Sequence, residues 1–168
     1  KAVTNTSGIG IGIALTGATS AGTIVAVKML NTSVTNGVDA PLVQTFVYTA
    51  ADLDAGAGIT DAIIGIVPAG YAATVIDAQI ISTSSAEGIN ADNTSVFALE
   101  VGSTKVAEVT FDADTDFPAA GEAEAITLVP AAVELEEGSV LLLTVTNGEA
   151  VNLPVFMVQI TLTLTPAV

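Results

Sequence analysis

The sequence predicts an all-β protein, a jelly-roll-like antiparallel β-sandwich preceded by an extended N-terminal arm. Three observations point there. Apolar and polar residues alternate with a period of two in segment after segment, most clearly where Ile160, Leu162 and Leu164 interleave with Thr161, Thr163 and Thr165. That period sends one set of side chains to each face of a strand. Turn-forming Gly, Pro and Asn residues punctuate the segments at regular spacing, the pattern of a sandwich or jelly roll. Helical periodicity is scarce.

Residues 1–42 are read as the arm and residues 43–168 as the sandwich domain. The arm has no aromatic residue and a single acid, Asp39. Within it Gly8-Ile9-Gly10-Ile11-Gly12-Ile13 alternates glycine with isoleucine, continued by Leu15. As a strand, this ribbon has one aliphatic face and one bare backbone face. Two readings stand. It is an arm ordered by docking on a neighbouring subunit or larger assembly, with Ile9, Ile11, Ile13 and Leu15 as the anchors, or it is an edge strand of the same sandwich. Edge strands are usually protected by charge or proline; the ribbon has neither, which favours the arm. Thr23–Leu30 reads as a strand or a short helix, the strand favoured.

From about residue 43 to 165, seven or eight strands follow. Pro68-Ala69-Gly70 separates Ile63–Val67 from Thr74–Ser82. Phe97, Leu99 and Val101 share one face, against Ala98 and Glu100 on the other. A tight hairpin at Val101-Gly102-Ser103-Thr104-Lys105-Val106 leads to a strand with Val109 and Phe111 on one face. Pro118, Gly121 and Glu136-Glu137-Gly138 close further segments. Leu141, Leu143 and Val145 then alternate with Leu142, Thr144 and Thr146, and Asn147-Gly148 turns the chain into the last strand, read as Val151–Thr165. Phe156 and Val158 extend its inward set backwards.

Charge and composition exclude whole classes of function. The 168 residues include 18 carboxylates against three cations, Lys1, Lys28 and Lys105, for a formal net charge of -15. A nucleic-acid binder displaces counterions with Lys and Arg, so nucleic acid is excluded as a partner. An anionic membrane surface is disfavoured for the same reason. No stretch approaches the roughly 20 apolar residues of a spanning helix, and the start lacks the layout of a secretory signal. Yet 51% of residues are hydrophobic, far from the composition of a disordered acidic chain. So much apolar surface points to a self-associating protein or a fixed partner.

Candidates for chemistry are few. With no Cys and no His, the common nucleophiles, bases and soft metal ligands are missing, and no enzymatic activity is expected. Ser103 and Lys105 are a conceivable pair, but neighbours on a turn are usually solvated. Asp112, Asp114 and Asp116, followed by Glu122 and Glu124, place oxygen ligands at alternate positions as a hard cation requires. The spacing departs from the calcium-loop pattern, with Phe117 at its sixth position and Ala123 at its twelfth. A solvated acidic loop and a calcium site are the two readings, the former favoured; no other cofactor is expected. Asp52 and Asp54 form a weaker pair, and Asn90-Ala91-Asp92-Asn93 reads as a turn.

Several of these segments, in order, carry a likeness. They are Ala62–Tyr71 leading into Thr74–Ile80, then Asn93–Gly102, Val106–Phe111 and Glu136–Val145. This succession resembles the small β-sandwich decoration (cement) and head-fibre proteins of tailed-phage capsids. The resemblance implies a homotrimeric jelly roll, a major capsid protein as partner, and a place on the outer capsid surface of the virion. It also implies an N-terminal anchor and no catalytic residues. The charge agrees, since an acidic chain is repelled by packaged DNA. Other readings are a jelly-roll coat or spike protein of a virus from a saline habitat, and a cell-surface or carbohydrate-binding sandwich.

Overall fold

The computed structural model describes residues 11–14, 27–30 and 42–167. These form strands and connecting loops without a helix. Two short strands, β1 (Ile11–Ala14) and β2 (Val27–Leu30), pair with each other, Ile11 opposite Leu30 and Ala14 opposite Val27. Ile9 and Leu15 lie outside the described residues.

Ten strands make the sandwich. Seven are long: β3 (Leu42–Ala50), β4 (Ile59–Ile66), β5 (Tyr71–Ser82), β6 (Ser95–Val101), β7 (Thr104–Phe111), β11 (Val140–Asn147) and β12 (Phe156–Pro166). Between β7 and β11 come three of two or three residues, β8 (Ala123–Ala125), β9 (Thr127–Leu128) and β10 (Glu134–Leu135). The first sheet runs β10-β5-β12-β3, with β8 also pairing β5; the second runs β4-β11-β6-β7-β9. Every ladder is antiparallel.

The chain changes sheet at almost every connection and stays in one sheet only at the β6–β7 hairpin. With the neighbour orders β3-β12-β5 and β4-β11-β6-β7, that crossing pattern is the double-sheet jelly roll. β3 lies beside β12 from Leu42↔Leu164 to Ala50↔Phe156 without a break in register.

Local chemistry explains the turns. Tyr71 N–H donates to the Pro68 carbonyl at 3.2 Å, and Gly70 sits at φ 79°, the third position of a type II turn, where a side chain would be strained. Gly102, at φ 60°, starts the two-residue loop that sets Val101 opposite Thr104. A positive φ at that first position but not at Ser103 is the type II′ hairpin, whose twist matches the strands. The last strand starts at Phe156 and not at Val151: Pro154 has no N–H for a ladder, and Leu153 instead bridges to Leu53.

The core lies between the sheets. Phe156, Val158, Ile160, Leu162 and Leu164 are buried, as are Leu141, Leu143 and Val145 across from them. Four phenylalanines meet at its centre. Phe97 contacts Phe156 edge-on at 5.1 Å between centroids and Phe111 at 5.6 Å, while Phe117 closes on Phe111 at 5.0 Å. Phe156 belongs to one sheet and Phe97 and Phe111 to the other, so the cluster ties the layers together. Burying each ring contributes about 1.5–3 kcal/mol, with roughly 0.5–1.5 kcal/mol more per well-oriented aromatic pair.

Two bulges set what shows outside. Thr161 faces Asp77 while Leu162 faces Val75, leaving Ile76 as an extra residue that is 49% exposed. On β4 the register breaks between Leu141↔Gly65 and Leu142↔Ile63, so Ile64 is the extra residue. Bulges of this kind bend a strand and re-aim its side chains.

Candidate functional site

The acidic segment after β7 is held by its own backbone. One carboxylate oxygen of Asp112 accepts the N–H groups of Asp114 at 2.9 Å and Thr115 at 3.0 Å, and Asp112 N–H donates to the Thr115 carbonyl at 3.1 Å. This is an Asx-type turn, and it turns the chain so that Phe117 enters the core. Glu122 and Glu124 stand apart from the loop, at and just before β8, which pairs Gln79–Ile81 of β5. Among the described residues no group of three or more acids is placed to hold a metal ion.

The Asn90–Asn93 segment is likewise a turn. Asn90 Oδ1 accepts from Asp92 N–H at 2.9 Å and from Asn93 N–H at 3.1 Å.

Lys105 bonds Glu108 three residues on, along β7. That hydrogen bond is the largest cause that raises the lysine above its ordinary pKa; desolvation opposes it, and the charges of Glu108 and Glu100 add smaller upward effects. A lysine that activates a serine needs the opposite shift. Ser103, on the exposed turn, has no such partner in Lys105.

One surface cleft, about 210 Å3 in volume, opens at the end of the sandwich where β3 and β5 leave the first sheet. Asp52, Asp54, Ser84, Ser85, Glu87 and Asn152 contribute polar side chains to it. Asn152 fixes its wall: its backbone pairs with Glu87, and its Oδ1 accepts the Ala55 N–H at 3.0 Å. The lining contains no aromatic ring and no basic group. Sugar sites commonly rest on such rings, and small-molecule pockets are mostly apolar.

Nearby, Ser95 and Asn147 face each other across β6 and β11. Ser95 Oγ and Asn147 Oδ1 are buried without a partner, while Asn147 Nδ2 donates to the Val151 carbonyl at 2.6 Å. Two unpaired oxygens do not by themselves make a site.

The outer faces differ in character. On the first sheet Thr45, Thr161 and Asp77 form one cross-strand row, Val47, Gln159 and Gln79 the next. The Thr45 and Thr161 hydroxyls lie 3.4 Å apart. On the second sheet Ile66 faces Val140 and Ile63 faces Leu142. Ile63 and Ile66 are about half exposed, at 50% and 52%. This is a small aliphatic patch beside the β4 edge.

The sheet edges complete the surface. β4 carries Asp61, a non-glycine residue at φ 52°, and two breaks in register. The far edge of β5 is covered only by the short β8 and β10, which carry Glu124 and Glu134. β9 has two residues. β3 has nine residues, pairs only with β12 among the described residues, and contains no charge, proline or bulge. This edge is not among the segments singled out from the sequence. Its signal was present in Leu42-Val43-Gln44-Thr45-Phe46-Val47-Tyr48-Thr49-Ala50, nine consecutive residues without a charged side chain.

No family model matches the chain, and no curated protein matches it.

Proposed function

We propose that the chain is a non-enzymatic structural protein of a virion, a decoration protein that docks on the outer surface of a phage head and stabilises the junctions between capsomers. The observation that carries the reading is the division of charge along the chain. All carboxylates but Asp39 lie after residue 43, on a sandwich segment with Lys105 as its single cation, while residues 1–42 hold Lys1, Lys28 and the glycine–isoleucine ribbon. Such a chain has an acidic, hydrated body and an aliphatic tether. The tether buries apolar area against a shell, at roughly 25 cal/mol per Å2. A ligand that binds only the assembled shell opposes its separation. Ile9, Ile11, Ile13 and Leu15 are the anchors in this scheme, and the acidic body faces away from the packaged nucleic acid.

The alternatives are a jelly-roll coat or spike protein of a virus from a saline habitat and a cell-surface or carbohydrate-binding sandwich. Immunogold labelling of particles from the native source, with an antibody against the sandwich, tests the proposal. Gold is expected on the outside of heads; label confined to cell envelopes would end this reading. Deleting residues 1–20 is expected to leave the sandwich folded, by circular dichroism, and to abolish co-sedimentation with heads.

A further inference from the structure

Of the four edges of the two sandwich sheets, three are blunted by familiar devices. Asp61 and broken register protect β4, brevity and glutamates protect β8 and β10, and β9 is two residues long. β3 has none of these protections, and it is the longest edge strand of the four. Along an edge strand, alternate backbone N–H and C=O groups point away from the sheet and template another strand. β2 comes close to β3 but does not pair with it.

We propose that β3 pairs edge to edge with β3 of a second copy of this chain, antiparallel about a twofold axis, so that the first sheets of two molecules become one continuous sheet. Charge selects the occupant. Two chains of net charge -15 can meet closely only where carboxylates are absent. β3 and the strand behind it, β12, hold twenty residues between them without one charge. Every other edge of more than two residues carries an acid. Self-pairing also matches side chains. With the twofold at Phe46, Val43 faces Thr49 and Thr45 faces Val47 on the outer face, β-branched pairs that suit a sheet. Val43, 53% exposed in the single chain, gains a cover.

An isologous edge pairing consumes both edges and closes at two copies, unlike the threefold state implied by the family resemblance. The dimer does not depend on the decoration reading: it can exist with or without a phage head.

Sedimentation equilibrium of the full chain, joined to hydrogen exchange on the same samples, tests it. The expected result is a dimer in which all amides of Leu42–Ala50 are protected, with every second one losing protection on dilution to monomer. Thr45→Lys/Val47→Lys sets like charges opposite each other and is expected to weaken the dimer by roughly tenfold or more. Ile63→Lys/Leu142→Lys adds the same charge on the other sheet and is expected to leave it unchanged. A monomer, a trimer, or a dimer whose alternate β3 amides exchange freely would each overturn the proposal. If the edge variant does not fold, the exchange pattern of the unaltered chain decides.

Discussion

Gly65 shows how far one residue can control the sandwich. It lies on the inward face of β4 opposite Leu141, and a Cβ built there would come 2.6 Å from the ring of Phe46. The two sheets approach closely at this point because no side chain separates backbone from ring. Gly65→Ala is therefore expected to cost about 1–3 kcal/mol, the usual range for overpacking a filled core. The loss should shrink when Phe46→Leu is added, since neighbours sharing one space are not additive. Urea unfolding of the two single variants and the double variant measures both effects. Phe117 teaches a related lesson. In the sequence it looked like an irregularity in an acidic loop, but it packs against Phe97, Phe111 and Phe156. Nothing in its neighbourhood alternates, so periodicity had no means of finding it.

At the scale of elements, the long strands were legible because each buries one face. Phe156 through Leu164 alternate without exception in burial, as do Leu141, Leu143 and Val145 against their neighbours. The turns at Gly70, Gly102 and Gly138 were legible from composition, and all three have positive φ. β8, β9 and β10 were not, since two or three residues cannot display a period. The extra residues Ile64 and Ile76 also escaped, because a bulge is a property of a pair of strands and not of one. The Asp112–Asp116 segment was legible as an acidic loop, but its turn was not, since that turn rests on the N–H groups of Asp114 and Thr115 donating to the Asp112 carboxylate. The hairpin of β6 and β7 carries a pH signature. Lys105 has a raised pKa in the folded chain, mainly through its bond to Glu108. Its contribution to stability is thus fully present below the unfolded lysine value and is lost as pH rises through the folded one. By NMR titration the Lys105 ε-methylene signals should turn over above the value of a free lysine, and Glu108→Gln should return them toward it.

For the molecule as a whole, charge is the dominant long-range force. Seventeen carboxylates, all but Asp39, share the sandwich segment with Lys105, so the folded state is under self-repulsion that the expanded chain relieves. Screening shortens that repulsion to about 10 Å at 0.1 M salt and about 3 Å at 1 M. The melting temperature is therefore expected to rise between 20 mM and 0.5 M sodium chloride, by calorimetry on the same protein concentration. A flat or falling trend would show that the carboxylates are balanced by interactions other than screening. The same repulsion makes an uncharged edge the natural meeting point between copies.

The unbroken ladder between β3 and β12 has one more consequence. Because Leu42 lies directly opposite Leu164, the chain enters and leaves the sandwich at the same corner. A link of a few residues suffices to join those points, and the exposed Gly102-Ser103 turn offers a place to open new ends. A rewired chain of this kind keeps every strand beside its present neighbours. The order in which the strands are synthesised is thus separable from the architecture they build.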